Sequence, residues 1–217
     1  MSLMPWVTVA PLLCVVVAGL AMMLVDAFVE EKSELAMMTA VILAGSAVIA
    51  GGVWTSGHGA AQTTELVTTW LATDKLALFS DVVIAGGAAL SVLLAGGYLS
   101  EHRLERGEFY PLILFSTFGA MVLARSIDLL SLFIGLETMS LGIYALVAYR
   151  RTSPRSSEAG IKYFLLGSFA AAINDGSADV RLVLIGVMLV IAGLAFKISA
   201  VPFHMLTPDA YEGATTR

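Results

Sequence analysis

The sequence predicts an all-α protein, a polytopic bundle of about seven membrane-spanning helices. Three observations lead there. Of the 217 residues 58% are hydrophobic and only 13% are charged, against about 25% charged in a soluble domain, so there is too little polar surface to coat a globule. The apolar residues gather in long runs divided by short polar connections, with no soluble linker or low-complexity segment between them. Because hydrocarbon offers backbone groups no hydrogen-bond partner, each run is expected to be helical. The whole chain, 1–217, therefore reads as a single transmembrane domain without a soluble part. The formal net charge of −5 argues against a nucleic-acid partner, leaving the lipid bilayer as the surroundings.

Taken in order, the expected spans are about 7–29, 35–54, 76–98, 109–125, 127–149, 160–173 and 180–201, each judged against the roughly 20 residues that cross about 30 Å. The first holds the only cysteine, Cys14, which excludes a disulfide framework or a cysteine metal site. No Lys or Arg precedes Lys32, so this run lacks the basic region of a cleaved signal peptide and is expected to be retained. Between the second and third spans lies the longest connection, about 55–75, whose TTELVTTW suits a short surface helix or strand. AGG occurs twice in the third span, and small residues of that kind suit close helix packing. Asp81 sits about five residues inside that span, and Asp26, Arg125 and Asp128 sit at span ends; all four are read as interfacial. Trp6, Trp54, Tyr98, Tyr110 and Tyr149 mark span ends, as an aromatic belt does. The sixth run is short.

Loop cations set the expected orientation. The connections after spans one, three, five and seven carry Lys32, Arg103, Arg106, Arg150, Arg151, Arg155 and Arg217, whereas the opposite side carries Lys75, Arg125 and Arg181. The N-terminus is thus expected outside and the RRTSPR loop in the cytoplasm.

Two basic residues, Lys162 and Lys197, lie inside spans, and one acidic residue lies near the middle of a span. Glu137 lies near the midpoint of IDLLSLFIGLETMSLGIYALVAY. A charge at the bilayer centre costs roughly 2.5–3.5 kcal/mol on insertion scales, so Glu137 must be protonated, paired or in contact with water. A neutral, helix-bridging glutamic acid is the bland alternative. Lys197, in LAFKISAVPFH, either snorkels from a helix ending near Val201 or sits one turn before a break at Pro202, with PFHML continuing the helix. Broken helices of that kind are where transporters hold ions. A Glu137–Lys197 pair would offset both desolvation costs. Burial also favours the neutral lysine, so the amine would load or release a proton as the carboxylate nears or recedes. Lys162 is placed equally well for snorkelling and for proton transfer, and His204 for packing and for a relay.

These residues carry a resemblance. GEFYPLILFSTFGAMVLARSIDLLSLFIGLETMSLGIYALVAYRR, residues 107–151, resembles the fourth and fifth helices of the antiporter-like membrane subunits of respiratory complex I. EAGIKYFLLGSFAAA resembles the start of their sixth helix, and LAFKISAVPFHMLTPDAYEGA their broken seventh. The likeness is weaker over the first three helices. It implies the N-terminal half of a fourteen-helix fold, seven helices with the seventh broken, and a proton path in which Glu137 pairs with Lys197 while Lys162 and His204 take part. It also implies partners among the other membrane subunits, a bacterial inner-membrane location, and a proton-translocating role within NADH:quinone oxidoreductase. No cofactor is implied on this chain: NADH, FMN, iron–sulfur clusters and quinone belong to the whole complex. A cation/proton antiporter subunit and an inert packing or assembly subunit are the alternatives. Departures are a shortened form ending at Arg217, fewer residues between Ile173 and the seventh helix, Leu206 where the family commonly has Trp, and Thr215 where it commonly has Pro.

Overall fold

The computed structural model describes residues 6–26, 28, 32–56, 69–101, 106–147 and 149. The chain divides into two compact units, Met1–Gly142 and Ile143–Arg217, and the packing below is that of the first. Five helices are described: α1 (Ala10–Asp26), α2 (Lys32–Thr55), α3 (Lys75–Glu101), α4 (Phe109–Arg125) and α5 (Leu129–Val147). The only β pairing among the described residues is the isolated antiparallel bridge Leu71–Ser126. The sixth and seventh expected spans lie outside the described residues, as does most of TTELVTTW. Stretches of α2, α3 and α5 are long and apolar enough to cross a membrane, while α1 and α4 are apolar but shorter, at 17 residues each.

Local chemistry sets the helix starts. Pro11 and Pro111 fall in the first turns of α1 and α4, where the missing N–H would have had no intrahelical partner. Asp74 Oδ1 accepts from Ala77 N (2.8 Å) and caps α3. Asp128 Oδ1 accepts from Leu130 N (2.5 Å) and Ser131 N (3.1 Å) and caps α5. Both carboxylates also meet the positive end of a helix dipole. Residues before α1 form a turn instead of helix, with Val9 N donating to Trp6 O at 3.1 Å.

Packing follows seams of helical period. On α3, Leu78, Asp81, Ala85, Ala89, Val92 and Leu99 are buried, a stripe spaced by threes and fours. This stripe faces α2, the most extensive helix pairing among those described. Of the four glycines in the two AGG motifs, only Gly96 is at a close approach, with the Ala36 Cβ 3.1 Å from where its own Cβ would stand; Gly86, Gly87 and Gly97 have nothing within 4 Å of that position. The glycine that lets α2 and α3 approach is therefore Gly96, not the motifs as units. Between α1 and α4, Gly19 receives the Phe115 ring. Leu12, Val15, Met22, Leu35, Leu43, Tyr110, Leu114 and Met121 share one core. Ser46 Oγ donates across to Pro11 O (3.0 Å), an interhelical bond between α2 and α1. Outward, Leu24, Val48 and Leu94 are exposed, an apolar surface suited to lipid.

Candidate functional site

Glu137 occupies the middle of α5 and is half-buried. Its face of the helix is shared with Leu130, Ile134 and Leu141, each about half exposed, at the four- and three-residue spacing of one helical stripe. The opposite face meets α4 at backbone distance. A Cβ on Gly135 would stand 2.6 Å from Leu123 N and 3.1 Å from Gly119 O, and one on Gly142 would stand 2.9 Å from the Ser116 Cβ. Gly119 in turn abuts the Met139 backbone, and Ser116 Oγ donates to Met139 O at 3.2 Å. The glycine seam thus fixes which way α5 is rotated and turns Glu137 away from α4. The neighbouring hydroxyls are occupied: Thr138 Oγ1 donates to Ile134 O (2.8 Å) and Ser140 Oγ to Leu136 O. Glu137 thus places a carboxyl group among apolar residues on the face of α5 turned away from α4. The expected partners Lys197, Lys162 and His204 lie outside the described residues.

A second polar centre was not expected from the sequence. Asp81 and Arg125 were read as interfacial; both are fully buried. The Arg125 guanidinium forms a bidentate pair with Asp81, Nε to Oδ1 at 3.1 Å and Nη2 to Oδ2, and its Nη1 donates to Thr8 O at 2.8 Å. Distance from the end of an apolar run does not register burial against a neighbouring helix. Helical phase carries the better signal: Asp81 continues the Leu78–Ala85 stripe of α3, and Arg125 continues Leu114, Thr117 and Met121 on α4. Arg125 also leaves the count of loop cations on its side, which is then Lys75 and Arg181. Thr8 is buried, and its Oγ1 has no hydrogen-bond partner among the described residues. No group of three or more potential metal-ligating side chains occurs among the described residues.

Comparison with known proteins defines the class. The family described as NADH:quinone oxidoreductase/Mrp antiporter, TM, matches over residues 126–174 and 172–217, stretches that contain Glu137 and Lys197 respectively. Over these residues the chain matches this antiporter-like family of membrane subunits. Within it, the FKISAVPFH and TPDAYEG forms resemble subunit N of bacterial NADH:quinone oxidoreductase more than the related L and M subunits, and the relatives agree. NADH-quinone oxidoreductase subunit N 1 of Sorangium cellulosum is 47% identical over 100% of this chain and 50% of its own length. Subunit N of Trichlorobacter lovleyi is 37% identical over 92% of this chain and 45% of its own length. A chain of respiratory complex I from Thermus thermophilus superposes with a TM-score of 0.74 at 28% identity, covering 94% of this chain and 47% of that one. The chain thus spans about half the length of the curated relatives it matches. The family match breaks at residues 172–174, and the alignment with the Sorangium protein runs over 255 residues against 217 in this chain. That relative therefore carries an internal stretch that this chain lacks.

Proposed function

We propose that this protein is a proton-translocating membrane subunit of a bacterial NADH:quinone oxidoreductase, seated in the inner membrane among antiporter-like neighbours with its N-terminus outside. In this reading protons move through a buried pair formed by Glu137 and Lys197, with Lys162 and His204 extending the path, while electrons move through other subunits. The observation that carries it is the placement of Glu137: mid-helix, on the face turned away from α4, within the part of the chain that matches the family. Desolvation keeps a lone lysine neutral and a lone glutamate protonated, and proximity favours both charged forms. Bringing the two together therefore passes the proton of the glutamic acid to the lysine, and separating them lets the lysine release it while the glutamate takes up another, so one proton crosses the pair per cycle. The cation-antiporter alternative shares the family description, but the relatives described above are named as subunit N of NADH-quinone oxidoreductase.

The test is replacement of Glu137 by Gln and Lys197 by Ala in the assembled complex. Proton pumping coupled to quinone reduction is expected to fall with either change while assembly survives. Unchanged pumping would refute the reading, and loss of assembly in both variants would assign the pair to packing alone.

A further inference from the structure

We infer that Arg125 is a positioning residue, an electrostatic clamp that fixes the start of α5 and thereby the place of Glu137. The inference rests on the function proposed above, and its observations lie in a different part of the molecule. Three segments converge on Arg125. Its side chain holds Asp81 of α3 and the carbonyl of Thr8 ahead of α1. Its own carbonyl accepts from Ala72 N at 2.6 Å. The next residue, Ser126, makes the bridge to Leu71, and Ile127 N donates to Trp70 O at 3.4 Å. Residues 70–72 are thus strapped against the turn from which α5 departs.

That turn is short. Arg125 ends α4, Asp128 caps α5, and Glu137 stands just over two turns further on. The clamp holds the start of α5 and Gly135 packs its flank against α4, and together they set the position and rotation of the helix that carries the carboxyl group. The guanidinium suits this role. It is always charged, offers five fixed donors, and satisfies a carboxylate in bidentate fashion while a further N–H reaches a carbonyl. It also sits at the negative end of the α4 dipole. Among the described residues the Arg125 side chain bonds to Asp81 and Thr8 and not to Glu137, so its influence on Glu137 acts through geometry.

The experiment is run on the assembled complex in inside-out membrane vesicles, in a Cys14→Ala background. Arg125→Gln is expected to leave NADH-driven quinone reduction and assembly in place and to lower the number of protons moved per electron severalfold. Arg125→Lys is expected to fall between Arg125→Gln and wild type. A disulfide between Leu71→Cys and Ser126→Cys, a directly bridged pair at Cα spacings that a disulfide tolerates, replaces the electrostatic strap with a covalent one. It is expected to form rapidly with Arg125 present and slowly in Arg125→Gln, and, once formed in Arg125→Gln, to restore pumping. Normal proton yield in Arg125→Gln, or a formed cross-link that restores nothing, overturns the inference. If Arg125→Gln prevents assembly, Asp81→Asn, which keeps the shape and one acceptor oxygen but removes the charge and the second acceptor, is measured in its place against the same outcomes. The cross-linking rate reads the clamp even if Glu137→Gln leaves pumping unchanged, so failure of the clamp and failure of the proton-path reading are separable.

Discussion

Arg125 and Asp81 are each too costly to bury alone. Removing one partner from a buried pair typically costs about 3–5 kcal/mol, because the other is left charged and dry. Thr8 is the contrasting residue in the same cluster. Its carbonyl is used by Arg125, whereas its buried hydroxyl has no partner among the described residues. An orphaned hydroxyl contributes only its desolvation cost, and a valine of the same shape removes that cost while leaving the carbonyl in place. Thr8→Val is therefore expected to be neutral or to stabilise by up to about 1 kcal/mol, read as an unchanged or higher thermal midpoint of the purified complex; a loss of stability would mean that the hydroxyl is hydrogen-bonded after all. The two charged centres differ in how far the sequence revealed them. Glu137 stands out because ten or more residues separate it from either end of its run, too far for a short side chain to reach water. Asp81 and Arg125 lie nearer the ends of theirs, where a charge ordinarily snorkels, and only their phase on the buried stripe tells them apart from interfacial residues.

Glycines decide the packing of elements, though not the glycines that a motif search singles out. On α3 the second AGG contributes one contact and the first none, because a helix turns 100° per residue and adjacent glycines cannot both face one neighbour. The α4–α5 seam is built instead from Gly119, Gly135 and Gly142, which share no short motif and become neighbours only once the helices fold back on each other. A Cβ at Gly135 meets backbone, which has no rotamer to yield. Gly135→Ala is accordingly expected to destabilise by about 1–3 kcal/mol, the usual cost of overpacking. Gly86→Ala, in open space on α3, is expected to be neutral or to stabilise by up to about 1 kcal/mol through the lower entropy of the unfolded chain. Thermal midpoints of the two variants side by side give the check; equal effects would mean that α4 and α5 are not in backbone contact. The helices themselves were legible from length and hydropathy, since α1 to α5 fall on the first five apolar runs. Their trimmed ends were not: Trp6 to Val9 and the cap residues Asp74 and Asp128 are decided by individual hydrogen bonds, which hydropathy does not register.

At the scale of the whole molecule, orientation follows from which cations remain in water. Positive charge retained in short loops keeps those loops on the cytoplasmic side. Arg125 is neutralised by Asp81 inside the bundle, so the end that carries Ser56, Lys75 and Asp128 loses one of its few basic residues, while the opposite end keeps Lys32, Arg103 and Arg106. The asymmetry on which the proposed orientation rests is thereby sharper than the sequence count alone. The sixth run complicates the second half of the chain. Fourteen residues of helix extend about 21 Å, short of the roughly 30 Å of hydrocarbon, and the family match breaks at its end. The cysteine inventory makes both points measurable, since Cys14 is the only one to remove. In a Cys14→Ala background, a membrane-impermeant maleimide applied to whole cells is expected to label Ser56→Cys and not Glu108→Cys, both exposed positions at opposite ends of the described bundle. Ser177→Cys, in the polar NDGSADV segment, is expected to label like Ser56→Cys if the short run crosses by drawing polar residues into a thinned bilayer, as mismatched helices do. Labelling of Glu108→Cys alone would invert the orientation. Labelling of Ser56→Cys without Ser177→Cys would leave the sixth run on the cytoplasmic side, and Lys197 would then approach Glu137 from the opposite surface of the membrane.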